Sequence, residues 1–308
     1  MALLPRQVVR IFEPQAVLEG AGVRLIRTIA SRALDYLDPF LLLDHFGSDD
    51  PDDYLAGFPM HPHRGIETVT YMLAGFVDHQ DTLGNSGSIG AGDVQWMTSG
   101  RGIMHEEMPQ PDQGRMAGFQ LWVNLPARQK MSAPRYQEIP AGRIPQVERE
   151  DGGRIRVIAG EAGGVRGPVT EIAAQPTYLD VSLPAQTSFT HPIAEGHTGF
   201  AYVFEGEGTF GVTDEGGGTV VGHPRLAVFG DGSRITVRTA AQPVRFLLIS
   251  GQPLHEPIAR YGPFVMNTRE EIEQALRDLR DGTFIQKQAP SDSGAWYGSA
   301  STGEKPAR

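Results

Sequence analysis

Short apolar segments bounded by turn residues recur along the chain: TVTYMLAG (68–75), GDVQWMTSG (92–100), GFQLWVNLP (118–126), GFAYVFEGEGTFGV (199–212) and VRFLLISG (244–251). They are rich in β-branched and aromatic residues and too short for helices, and strands at this spacing read as an all-β sandwich or barrel. One segment changes period. In NTREEIEQALRDLRDG, Ile272, Leu276 and Leu279 recur at i, i+4 and i+7, Thr268 and Glu271 form a capping box, and Gly282 closes the run, which predicts one short amphipathic helix over 268–281. The Gly-rich stretch DEGGGTVVGHP (214–224) leads into no helical pattern and reads as a hairpin loop rather than a phosphate cradle. After Phe284 the chain turns polar and poor in aliphatic residues, so 287–308 reads as a flexible tail.

The two halves resemble each other weakly. An offset of 131 residues lays Tyr71 and Gly75 on Tyr202 and Gly206, in the frames YMLAG and YVFEG. LWVNLP (121–126) and FLLISGQP (246–253) end the last long apolar run of each half. Two copies of one β-fold explain this, with domains expected at 1–145 and 146–286.

Composition narrows the function. With 308 residues the chain can bury substantial cores, and no apolar run approaches the ~18 residues of a membrane-spanning helix. Its net charge of −10 repels phosphate backbones, so direct nucleic-acid binding is not expected. Cysteine is absent, which excludes thiolate metal sites and thiol nucleophiles and leaves His and carboxylates as metal ligands. The start MALLPRQVVRIFEP lacks the apolar region of a secretory signal, giving a cytoplasmic expectation. No P-loop, GxSxG or HExxH motif occurs.

Three of the nine histidines fall in two short motifs: His61 and His63 in HPHRGIETVTY, and His105 with Glu107 in SGRGIMHEEMP. Each pair is spaced i, i+2, which on a strand sends both side chains to one face. Two strands then supply three imidazoles and one carboxylate to a divalent transition metal, Fe(II), Mn, Ni, Cu or Zn, with positions left open on an octahedral ion. Pro62 restricts its strand to an edge or a bulge. Glu106 has the opposite parity and should face away. Glu67 shares the parity of the His pair, which leaves it as a fifth ligand, an acceptor for an imidazole N–H, or a charge neutralised by Arg64. Trp96, Phe119 and Trp122 read as core or as the lining of an apolar pocket beside the metal.

The stretch HPHRGIETVTYMLAG followed by GDVQWMTSGRGIMHEEMP resembles the pirin family of the cupin superfamily, and the likeness extends through DPFLLLDHFG (38–47) and GQPLHEPIARYGPFVMNTREEIEQAL (251–276). The resemblance implies two tandem cupin domains of jelly-roll type, with metal in the first alone, held by His61, His63, His105 and Glu107. The offset puts Pro192, Ala194 and Thr236 at the ligand positions of the second half, which is expected to be metal-free. It further implies a monomeric quercetin 2,3-dioxygenase-like enzyme using Fe(II), opening a flavonol-like small molecule with O₂ and releasing carbon monoxide, with Glu107 as proton acceptor. Two alternatives stand beside it: a metal-dependent co-regulator acting through a protein partner, and a cupin enzyme on another small oxygenated substrate.

Overall fold

The computed structural model describes residues 4–110 and 115–286, so the expected tail at 287–308 lies outside the described residues. All strand ladders in it are antiparallel. The first unit is a seven-stranded sheet running Arg135–Ile139, Val94–Thr98, Ile66–Ala74, Met116–Asn124, Phe40–Ser48, Val23–Ile29, Gln15–Glu19. A four-stranded sheet closes over it, in the order Phe58–His63, Ile103–Gln110, Phe76–Asp81, Ser86–Ile89.

The second unit repeats the pattern. Its main path runs Val8–Phe12, Arg225–Phe229, Thr198–Phe210, Val244–Gly251, Thr177–Leu183, Arg154–Ala159, Gln146–Glu148. Ser188–Pro192, Arg234–Arg238 and Thr219–Gly222 branch from it. The strand carrying Tyr71 is flanked as the strand carrying Tyr202 is, and both tyrosines are fully buried. Gly75 and Gly206, four residues on in each copy, both have φ near +70 to +80° (78° and 68°), the left-handed backbone that favours glycine.

The division expected at 145/146 is crossed at both ends of the chain. Val8–Phe12 pairs with Arg225–Phe229 and forms an edge of the second sheet, while Val265 N–H bonds the Arg64 carbonyl of the first unit. The large sheets pack face to face over one apolar core shared by both units, where Phe40 meets Phe200 edge-on at 5.3 Å and Phe119 meets Tyr202 at 5.9 Å. The second barrel is filled by its own apolar side chains, Phe189, Phe210, Ile235 and Phe246 among them. The first holds a smaller apolar cluster, with the buried polar side chains His63, Thr70, His105 and Glu107 beside it.

The helix forms at Arg269–Arg280, capped as expected: Thr268 Oγ1 accepts from Glu271 N–H, and the Glu271 carboxylate accepts from Thr268 N–H at 2.9 Å. Its inward stripe is the buried Ile272 and Ala275 with the partly buried Leu279; Leu276, expected on that face, is turned to solvent. No helix among the described residues is long and apolar enough to cross a membrane.

Candidate metal centre

The HPH motif lies on Phe58–His63, an edge strand, which is the position a central proline such as Pro62 tolerates. Its partner Ile103–Gln110 places His105 opposite His61, and one extra residue in the Phe58–His63 strand shifts the register so that Glu107 lies opposite Phe58. His61, His63 and His105 converge, with one nitrogen of each within 4.8 Å of the others. Glu107 is outside that triad. Its carboxylate faces the same cleft and accepts from Thr70 Oγ1 at 3.0 Å. Glu106 points outward, as expected, and accepts from Gln80.

The triad has the chemistry of a cation site. His105 is 1% exposed, and neither ring nitrogen has a hydrogen-bond partner among the described residues, a costly state for a buried imidazole. His61 Nε2 and His63 Nε2 are 3.1 Å apart. Two nitrogens at right angles on one ion, each about 2.1 Å from it, stand about 3.0 Å apart. Burial, reinforced by the neighbouring imidazoles, holds His63 well below its ordinary pKa and lowers His105 to about 3, so both keep lone pairs free at neutral pH. The residues present therefore fit a divalent metal.

His61, His63 and Glu107 line a cleft of about 550 Å³, with His105 buried beside the two histidines. Trp122 forms part of its wall, edge-on to His63 at 5.1 Å, and Arg260 lies over the indole at 5.1 Å. Phe58, Leu42 and Val77 add apolar surface, and Thr70 and Gln120 line the same space. Thr70 Oγ1 is 2.6 Å from Gln120 Oε1, so one hydroxyl links the Gln120 and Glu107 side chains. Trp96 and Phe119 lie on the opposite face of their sheet, in the shared core.

Glu67 takes none of the three roles open to it from sequence. The turn at Arg64–Gly65, with Gly65 at φ +82°, separates the HPH strand from Ile66–Ala74 and resets the alternation. Glu67 consequently faces the shared core and accepts from Trp96 Nε1 at 3.1 Å and Thr98 Oγ1 at 2.8 Å. Burial raises it to about 7 against these two hydrogen bonds. Arg64 pairs instead with Asp278 of the terminal helix at 2.7 Å.

Two features were not singled out from sequence. Thr70 lies within the run TVTYMLAG, and its alternation with Val69 and Tyr71 sends it to the cleft. Lys130, one of three lysines in the chain, is buried and gives its three N–H donors to Gly65 O, Asn124 Oδ1 and Val265 O at 2.8–2.9 Å. This ties the turn after the ligand strand to the terminal segment.

Comparison with known proteins agrees with this architecture. The pirin family model matches residues 22–123, and the pirin C-terminal cupin domain model matches 178–285. A pirin-like protein of Caulobacter vibrioides is 46% identical over 282 residues, 91% of this chain and 99% of that one. The crystal structure of a quercetin 2,3-dioxygenase from Acinetobacter baumannii superposes with a TM-score of 0.81 at 36% identity, covering 91% of this chain and 98% of that one. A bacterial pirin from Escherichia coli in complex with nickel(II) shares the fold, with a TM-score of 0.61 at 20% identity over 79% of this chain and 98% of its own.

Proposed function

Because the chain belongs to the pirin family and gathers three histidines beside a cleft that two of them line, we propose that it is a metal-dependent dioxygenase that opens a flavonol-like ring with O₂. Both oxygen atoms enter the organic product, two carbon–carbon bonds of the central ring break, and the intervening carbon leaves as carbon monoxide. The observation that carries the reading is the buried His105, without a hydrogen-bond partner among the described residues, beside His61 and His63, which line a largely apolar cavity.

His61, His63 and His105 hold the ion, with Glu107 as fourth ligand or proton acceptor at its edge. When bound, Fe(II) or another divalent ion supplies Lewis acidity that lowers the pKa of a flavonol 3-hydroxyl. Glu107 takes up that proton, and Thr70 fixes the carboxylate that receives it. Trp122, Leu42 and Phe58 bury the flat aromatic body and exclude water. Substrate and dioxygen are the partners this reading needs; of the metals, Fe(II) is the first choice and Mn, Ni, Cu and Zn are the comparison.

The test is aerobic quercetin consumption by metal-stripped protein reloaded with each ion in turn, with carbon monoxide measured alongside. Metal-dependent loss with one carbon monoxide per flavonol is expected. His61→Ala and Glu107→Ala should abolish it while far-UV circular dichroism stays unchanged. Metal binding without turnover for every ion would overturn the dioxygenase reading.

A further inference from the structure

A second concave site lies away from the metal cleft. It is a groove of about 560 Å³ on the second unit, where the face shared by the two large sheets runs beyond the edge of the first. Its floor is set by register. Arg154, Ser182 and Arg245 stand side by side on the three adjacent strands Arg154–Ala159, Thr177–Leu183 and Val244–Gly251. Arg156, two residues along from Arg154 and so on the same face, lies opposite Asp180.

Three guanidinium groups are thus concentrated in a chain whose net charge is −10. Asp180 and Glu205 are the carboxylates lining the groove, and Arg245 engages both. Its Nε and Nη2 donate to Asp180 at 3.0 and 2.8 Å, and its Nη1 donates to Glu205 at 3.2 Å. Arg156 has no carboxylate partner among the described residues: Nη2 donates to the Gly92 carbonyl at 2.8 Å, and the guanidinium lies over the Tyr71 ring at 5.7 Å. Arg154 makes no side-chain hydrogen bond or ion pair among the described residues, and neither does the Ser182 hydroxyl. Glu148, the cross-strand neighbour of Arg154, accepts from Gln146 and does not line the groove.

Like charges two apart on one strand face repel, and neither Arg154 nor Arg156 forms an ion pair among the described residues, although Glu148 and Asp180 are their cross-strand neighbours. The unmet donors come from three separate side chains, Arg154, Arg156 and Ser182, that line one groove. A planar carboxylate is satisfied by a single guanidinium fork, whereas a phosphoryl group presents three free oxygens in three directions. We propose that this groove binds a small phosphorylated metabolite, its phosphate seated over Ser182 between Arg154 and Arg156 and its organic body along Leu183, Pro184 and Val244. The site is separate from the metal cleft and does not depend on the oxygenase reading.

Glycerol 3-phosphate, inorganic phosphate and malonate, titrated against the full-length protein by calorimetry with ³¹P line broadening for the two phosphates, test it. Saturable binding of glycerol 3-phosphate is expected, tighter than malonate by about tenfold or more. Arg154→Gln, at an exposed position that leaves the fold intact, should weaken phosphate binding by about 10-fold or more, the worth of one or two charge-assisted hydrogen bonds. Ser182→Ala should weaken it less, and quercetin consumption should be unaffected by either change. Absence of saturation for the wild-type protein up to roughly 10 mM glycerol 3-phosphate, binding undiminished in Arg154→Gln, or malonate binding as tightly as the phosphates would each overturn the proposal.

Discussion

At the scale of single residues, the first barrel's polar groups divide into those that face the cleft and those that serve the core. Glu67 belongs to the second kind, and its titration should be visible. Its carboxyl has an ordinary value of 4.5 and is raised by burial to about 7, so between these limits the folded state binds more protons than the unfolded one. Stability contributed at Glu67 is therefore greatest at low pH and falls as pH rises from about 4.5 to 7. Glu67→Gln keeps an acceptor for Trp96 and lets Thr98 bond the amide, and it removes the titration. In urea unfolding at pH 5 and pH 8, the wild-type protein should lose about 2–3 kcal/mol more than the variant, at 1.36 kcal/mol per pKa unit. Equal losses in the two proteins would show that Glu67 titrates normally. Asp44, raised by burial to about 6, titrates over part of the same range but is common to both proteins and cancels in the comparison.

His105 and His61 allow a second residue-scale test that needs no turnover. Three imidazoles sharing an ion should bind it together, so His105→Ala is expected to reduce bound divalent metal, measured by elemental analysis after purification, to below one tenth of the wild-type occupancy. Because the buried His105 ring has no hydrogen-bond partner among the described residues, its removal relieves an unsatisfied polar group while leaving a cavity, and the two effects offset to keep the melting temperature of the metal-free protein within a few degrees. A large drop in that temperature would instead assign His105 a packing role.

At the scale of elements, the terminal segment acts as a strap across the strand that carries His61 and His63. Arg64 directly follows His63, is 1% exposed, and finds its carboxylate on the terminal helix at Asp278, with the Phe284 ring 4.4 Å beneath the guanidinium. Two of its nitrogens have no other partner among the described residues, so Asp278→Ala strands a buried charge. Such a break costs about 3–5 kcal/mol when both groups are buried, and about 2–3 kcal/mol is expected here because Asp278 is partly solvated. Hydrogen exchange should then quicken together in residues 63–66 and 264–284 and stay slow in the strand Thr198–Phe210. Exchange confined to the helix would show that the strap does not hold the ligand strand. The same elements mark what sequence could reveal. The helix, its capping box and the central strands were legible because their signals are local: a 3.6-residue period, a Thr–Glu pair three apart, a run of β-branched residues. The side of the sheet taken by Glu67 was not, because one glycine turn resets an alternation that simple counting carries straight through. The joining of Val8–Phe12 to Arg225–Phe229 leaves no pattern in either segment, since a partner more than 200 residues away imposes no periodicity.

At the scale of the whole molecule, the two cupin units are not independent. Each contributes a face of aromatic and aliphatic side chains to one core, each holds a terminal segment of the other's half of the chain, and Tyr71 of the first donates to the buried Asp180 of the second at 2.7 Å. Separating them would expose both faces and strand Asp180 with Arg245 alone, so unfolding should be a single transition. Two of the three tryptophans, Trp96 and Trp122, lie in the first unit, and with the third, Trp296 outside the described residues, replaced by Phe, fluorescence reports the first unit whereas circular dichroism reports the strands of both. Phe200→Ala removes a fully buried ring from the second unit's side of the core, at a cost of about 3–5 kcal/mol. The melting temperature should fall by on the order of 10 °C, and by the same amount whether tryptophan fluorescence or circular dichroism is followed. A fluorescence midpoint that stays in place while the dichroism midpoint drops would mean that the first barrel survives alone. In that case the shared core would join two self-sufficient domains, and the ligand strand would not depend on the second barrel.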